Sequence, residues 1–243
     1  QYVYKAADGN QRIPEAMARA LKGTLRLDAA VRAVDSADSG VTVTLASGER
    51  LRAKAVVLAL PYSVTRQLAI TPLLKGVQAE AIQTLGHQPI TQFALVSRKP
   101  FWKQDGIEPS MWSDGLLARS FAHREGDEVV SILVTAYGNK ATILDRLGRE
   151  GAAQRIIAEF EAARPAAKGQ LRVVAQHSWS MDPWAAGDWA IFAPGTVTRF
   201  MPAMYAPHGR IHFCGEQTAI GNRGMEGAME SGERAAIEAL DVL

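Results

Sequence analysis

A chain of 243 residues with 47% hydrophobic side chains has room for one large domain or two small ones and for a substantial core, which excludes disorder. Its 27 basic and 25 acidic residues nearly cancel and no basic run exceeds two, which argues against nucleic acid as a partner. One cysteine, Cys214, excludes an internal disulfide framework, and 5 scattered histidines without HxxxH or HExxH spacing argue against a metal site.

The opening Gln1-Tyr2-Val3-Tyr4 carries neither a charged leader nor an initiator methionine. A processed, truncated or partly observed chain is the expectation, and the compartment, cytoplasmic or periplasmic, stays open. No apolar run is long enough to span a bilayer. Pro14 suits the first turn of a helix over Glu15 to Leu21, which Lys22-Gly23 closes. Leu25 to Asp28 and Ala30 to Val34 read as two short strand segments. Gly40 to Leu45 alternates with period two, Ser47-Gly48 turns the chain, and Arg50 to Ala53 alternates again, which predicts a hairpin. Ala55 to Leu60 is apolar throughout and stops at Pro61, as a fully buried strand of a parallel sheet would.

Helix is expected over 77–86, strand over Thr91 to Ser97, and strand again over Val129 to Ala136. Two helical stretches follow, Lys140 to Leu147 and, beyond Gly148, Ala152 to Arg164. Leu171 to Trp179 and Arg210 to Cys214 read as strands. From Gly224 to Leu243 the pattern is helical, with Met225, Ala228, Met229, Ala235, Ile237 and Leu240 available for burial. Alternating helices and strands, some paired locally, give an α/β (α+β) fold with an antiparallel portion.

The chemistry-bearing stretch runs from Ile211 to Ala236. A strand meets Gly215, a short polar loop follows, and a helix begins near Gly224. Helix N-termini present unpaired N–H groups and positive dipole, and glycines at 215, 221, 224 and 227 allow close approach of a flat or phosphorylated ligand. On these grounds alone a cofactor loop and an ordinary packed turn both stand.

The segment Phe213-Cys214-Gly215-Glu216-Gln217-Thr218, with Gly224-Met225-Glu226-Gly227-Ala228 and Ser231-Gly232 to Ala236, resembles the C-terminal flavin signature of the flavin-containing amine oxidases. Three further stretches resemble the same family: Val31 with Val56 to Pro61, Lys99-Pro100-Phe101-Trp102, and Trp179-Ser180-Met181-Asp182-Pro183-Trp184 through Gly187-Asp188-Trp189. The resemblance implies non-covalent FAD. It puts Gly215 and Glu216 by the phosphates and ribityl chain, Gly224 and Met225 at the flavin pyrimidine, the Val31 backbone at the adenine, and Trp179 and Trp184 beside the cofactor. It makes Trp189 the substrate-contacting aromatic. Residues 1–70 and 205–243 would form part of an FAD-binding domain, and 71–204 a substrate domain with a largely antiparallel sheet and flanking helices.

The chain departs from the family in four places. GxGxxG, the N-terminal nucleotide motif, has no match, so a preceding segment or partner subunit is expected to supply it. Gln92 stands where the family often has a lysine that holds a water at the flavin, which makes it the second candidate catalytic residue beside Trp189. Gly224 or Asn222 replaces the second tyrosine of the aromatic cage, and Asp188 stands where monoamine oxidases have a flavin-tethering cysteine. Cys214 is a small buried hydrophobe on its own terms. Glu226, Glu230 and Glu233 fall at helix spacing, so a solvated face and helix ion pairs are expected of them. The implied reaction takes a hydride from the carbon next to a small-molecule amine nitrogen. A scaffold that kept the fold and a desaturase or protoporphyrinogen-type oxidase are the rival readings, and a homo-oligomer remains an open assignment.

Overall fold

The computed structural model describes residue 6 and residues 8–243, so the opening Gln1-Tyr2-Val3-Tyr4 lies outside the described residues. Helix α1 spans Arg12–Ala20, with Pro14 inside its first turn where a missing N–H costs nothing. It begins three residues earlier than the sequence pattern indicates. Leu25 to Asp28, expected as a strand, is irregular and unpaired. Asp28 there takes a left-handed φ of 54°, which breaks extended geometry.

Strands β1 (Val31–Ala37), β2 (Gly40–Leu45) and β3 (Arg50–Ala53) form the hairpin and its neighbour, turning at Ser47-Gly48, where Gly48 adopts φ 90°. β4 (Val56–Leu58) is shorter than the apolar run that predicted it. It leads through α2 (Tyr62–Thr65) to β5 (Ala69–Thr71), which pairs parallel with β1. Then come α3 (Gly76–Thr84), β6 (Gly86–His87) and the long β7 (Ile90–Ser97). Next are α4 (Phe101–Asp105), β8 (Met111–Trp112), β9 (Arg119–Glu125) and β10 (Glu128–Tyr137). Helices α5 (Asn139–Arg146) and α6 (Gly148–Ala163) precede β11 (Leu171–Ser178). The chain closes with β12 (Ala190–Ile191), α7 (Thr196–Met204), β13 (Ile211–Phe213) and α8 (Gly224–Leu240).

Five strands in the order β11-β7-β10-β9-β8 make an antiparallel sheet. Alternation sends Phe93, Leu95, Ile132, Val134 and Ala136 to one face, where they pack with Ala141, Leu144, Ile156 and Phe160 of α5 and α6. A second cluster holds Val34, Val41, Leu58, Tyr62, Ile70, Ile211 and Phe213. It also takes in Ala81, Ile82 and Leu85 near α3 and Ala190, Phe200 and Met204 near α7, so the packing of this core reaches into the 71–204 span.

β4 and β13 pair in parallel, and among the described residues no third strand joins them. Full burial was expected for the 55–60 run; instead only Leu58 is buried and Val57 is exposed, because one edge and part of one face are uncovered. Helix α8 also turns differently from expectation. Of the residues expected to be buried, Ala235 is, in a stripe with Gly227 and Ser231, and Ala228 is half-buried, while Met225, Met229, Ile237 and Leu240 are exposed at 48%, 43%, 56% and 66%. The cause is close approach: a Cβ on Gly227 would fall 2.0 Å from the Asn222 carbonyl oxygen, so only the small-residue face seats against the preceding loop. Glu226, Glu230 and Glu233 are exposed, as a solvated face requires, and among the described residues they form no ion pair; the pair on this helix is Arg234–Glu238 at 2.8 Å.

Candidate functional site

A cavity of about 390 Å³ opens where β4, β13 and α8 meet, within the size range of small-molecule sites. Ala59, Leu60 and Pro61 come from the end of β4, Gly215 to Gln217 from the end of β13, and Gly224, Met225 and Ala228 from the onset of α8. His87, Asp188 and Trp189 close it from the β6–β12 pair and the residues just before β12. It therefore lies at the carboxyl ends of parallel strands, where open α/β sheets place ligands.

The loop that shapes it is tied internally. Gly215 takes φ 127°, a conformation that only glycine adopts freely, and its N–H donates to Ser231 Oγ at 2.9 Å. Gln217 Nε2 donates to the Leu60 carbonyl at 2.9 Å and to the Cys214 carbonyl at 3.3 Å, joining the ends of both parallel strands. Gly224 opens α8 at φ 76°, and a Cβ built on it meets nothing within 4 Å, so this backbone faces open space. The helix has no side-chain cap at Arg223, and among the described residues the Gly224 and Met225 N–H groups have no protein acceptor. A glycine surface and uncapped amides suit a flat ligand that presents a carbonyl oxygen.

Glu216 is held by the protein itself. Its carboxylate accepts from Arg223 Nε at 2.6 Å and from the Ala190 N–H at 3.3 Å, while Arg223 Nη2 donates to the Ala190 carbonyl at 2.6 Å. This latch fixes the neighbour of Trp189 against the onset of α8. Asp188 beside it has a carboxyl pushed above its usual range by burial and then by the Glu216 charge. Burial, then the Arg66 charge, depresses the His87 imidazole, and burial raises the Cys214 thiol. Cys214 is thus an unreactive apolar neighbour of the loop.

Of the residues singled out from sequence, Trp189, Gly215, Glu216, Gly224 and Met225 share this cavity. Gln92 and Trp179 meet each other instead: Trp179 Nε1 donates to Gln92 Oε1 at 3.1 Å, on the sheet face that α5 and α6 leave free. Trp184 is exposed, its N–H capped by Asp182 Oδ1 at 2.8 Å, and does not line the cavity. Val31 begins β1 opposite Leu45 and packs on the second core, also away from the lining. His87, Gln217, Ala228 and the bracing Arg223 received no role from sequence. Gln217, Arg223 and Ala228 lie within the motif span and were legible there in principle. His87 reaches the site only through the β6–β12 pairing, a non-local event.

Comparison with known proteins adds to this geometry. The family model described as flavin containing amine oxidoreductase matches residues 2–240. L-amino acid oxidase Bs29 of Bothriechis schlegelii is 26% identical over 240 residues, covering 94% of this chain and 48% of that protein. An amine oxidase [flavin-containing] of Danio rerio is 27% identical over 243 residues, covering 97% and 47%. The solved structure of wild-type putrescine oxidase bound to putrescine aligns with TM-score 0.79 at 25% identity, over 96% of this chain and 53% of that one. Cyclohexylamine oxidase from Brevibacterium oxydans IH-35A aligns with TM-score 0.79 at 19% identity over 96% and 51%, a likeness of fold. The chain spans about half the length of the curated relatives it matches.

Proposed function

The chain belongs to the family of flavin-containing amine oxidoreductases, and on that premise we propose that it holds FAD non-covalently in the β4–β13–α8 cavity and oxidises the C–N bond of a small-molecule amine. The observation that carries this reading is the convergence of Gly215, Gly224 and Met225 on one cavity with Trp189 in its wall. The residues fit the cofactor: a Cβ-free surface at Gly224 and two amides without acceptors match a ring that carries carbonyl oxygens. When bound, FAD supplies the hydride acceptor.

The chain's own groups do the rest. Trp189 presents a large apolar surface that keeps an amine desolvated and neutral. The Glu216–Arg223–Ala190 latch holds that wall at a set distance from α8. The α8 dipole favours negative charge at its N-terminus. Gln92, held by Trp179 on the sheet face outside this cavity, carries an amide and not a cation where the resemblance implies a lysine, which disfavours fast use of oxygen and fits another electron acceptor. With Asp188 where monoamine oxidases have a cysteine, no thiol at that position tethers the ring.

The open edge of β4 and the uncovered stripe of α8 support a further part of this reading: a nucleotide-binding segment, preceding this chain or on a partner subunit, completes the sheet. The test is spectroscopic. The completed protein should bind FAD, turn yellow, and bleach when an amine is added without oxygen. Trp189→Ala should leave the colour and cut kcat/KM for the amine by about tenfold or more. A protein that stays colourless in excess FAD sinks the cofactor reading; unchanged kinetics in Trp189→Ala sinks the role of that residue.

A further inference from the structure

The face of the antiparallel sheet away from α5 and α6 carries a row of paired residues that crosses all five strands. His177 on β11 opposes Gln92 on β7, which opposes Thr135 on β10; Thr135 opposes Arg119 on β9, and Arg119 opposes Trp112 on β8. Directly opposed residues share a face, so all five project to the side where Trp179 meets Gln92.

Arg119 has an unusual setting there. Its guanidinium carbon lies 4.4 Å from the Phe121 ring centroid, 5.1 Å from that of Tyr137 and 5.2 Å from that of Trp112. Nη2 donates to the Tyr137 hydroxyl, and Nε is buried without any acceptor. Among the described residues Arg119 has no carboxylate partner, whereas Arg164, the other arginine seated on a ring in this half, is fully engaged by Asp105. Rings cover the flat faces of a guanidinium and leave its edge, the part that grips carboxylates, to be filled. Trp112 is 76% exposed and Phe121 41%, so the box is open to solvent on this face of the sheet. Two strand spacings separate the Arg119 column from the Gln92 column, about 10 Å.

Resting on the amine-oxidising reading above, we propose that Arg119 is a specificity-determining anion subsite, and that the amine this protein accepts carries a carboxylate at its far end. A ligand that places its nitrogen at the Gln92–Trp179 end and its carboxylate on the Arg119 edge spans the row. The aliphatic segment between them crosses Thr135. An ω-amino carboxylate of several methylenes has this form; a diamine would bring a second cation against the guanidinium and be repelled.

The test uses the flavin-loaded, full-length protein with ω-aminohexanoate, hexylamine and diaminohexane. Aminohexanoate should exceed hexylamine in kcat/KM by roughly 10- to 100-fold, carried by KM, with the diamine poorest. Arg119→Met should erase the preference, and Arg119→Glu should invert it toward the diamine. A separate measurement keeps the subsite independent of turnover: hexanoate should perturb tryptophan fluorescence through Trp112, and lose roughly tenfold or more in affinity in Arg119→Met. Equal turnover of the three amines, or hexanoate binding that ignores Arg119, overturns the proposal while leaving amine oxidation in place. Arg119-dependent hexanoate binding without oxidation of any amine upholds the subsite and removes the amine assignment instead.

Discussion

The two cores of the molecule differ in how complete they are. The antiparallel sheet has one face covered by α5 and α6, and its outermost partners are the short β8 and the β11 strand, so its apolar side is satisfied from within. The parallel pair β4–β13 is covered by α8 but ends in an open edge, and α8 itself leaves four large apolar side chains in water. Parallel strands occur with both faces covered and a pair of strands alone is marginal, whereas antiparallel sheets tolerate a wet face. The first core therefore carries its own stability. The cavity region borrows part of its stability from whatever completes the sheet.

The sharpest way to break that contrast is at Arg164. Buried beside Phe101, it grips Asp105 through Nε and Nη2 at 2.8 Å each, and donates to the carbonyls of Glu108 at 2.7 Å and Ile107 at 2.6 Å. Burial pushes the Asp105 carboxyl up, but hydrogen bonds from Arg164 and the Ile107 N–H, with the Arg164 charge, together hold it below its ordinary range. Arg164→Met should cost about 3 kcal/mol by urea titration, because a carboxylate and two carbonyls lose their partner together. If the first core is self-sufficient, the loss should be the same in this chain alone and in the completed protein. A loss that shrinks when the sheet is completed would mean that the two cores are not independent.

Met229 tests the opposite region. In this chain alone Met229→Gln should change stability by less than about 0.5 kcal/mol, because the side chain is already in water. In the completed protein it should cost about 1.5 kcal/mol, the scale of one buried methionine. Equal and small effects in both would show that this stripe of α8 faces solvent throughout.

How much of this was legible depends on how local the signal is. The β2–β3 hairpin was read correctly because period-two alternation and a Ser-Gly turn lie within fourteen residues of sequence. The β13–Gly215–α8 passage was read for the same reason, and four of the motif residues that share the cavity follow from it, while Trp189 comes from the separate tryptophan-rich motif. Errors arose where packing against another segment decides. Leu25 to Asp28 has strand composition but finds no neighbour. The apolar residues of α8 looked like its core face, yet the clash that Gly227 avoids with Asn222 selects the small-residue stripe. β9 was missed because Arg119-Ser120-Phe121-Ala122-His123 alternates small with large polar or aromatic groups, and its inner face is only Ser120 and Ala122. Its hydrogen bonds come from β10, and the row that joins Arg119 to Gln92 exists only once three strands are in register.

Asp188 offers the smallest effect and the finest test of the cavity's electrostatics. Its carboxyl is pushed up by burial and by the neighbouring Glu216 charge, with the Trp189 N–H pulling the other way. A folded value above the unfolded one favours the neutral form, so the fold gains below the ordinary carboxylate range and loses as pH rises through the raised value. Asp188→Asn keeps the shape and removes the charge. It should therefore stabilise the protein near neutral pH, and the gain should vanish below about pH 4. Because the group is half exposed, solvent screening limits the gain to about 0.5 kcal/mol, a rise of roughly 1–2 °C in Tm. The same substitution made with Glu216→Gln should add nothing further from the Glu216 share, since the two charges would no longer oppose each other. A gain that persists at pH 3 would trace the effect to packing, and the picture of two carboxylates crowding the wall beside Trp189 would have to be abandoned.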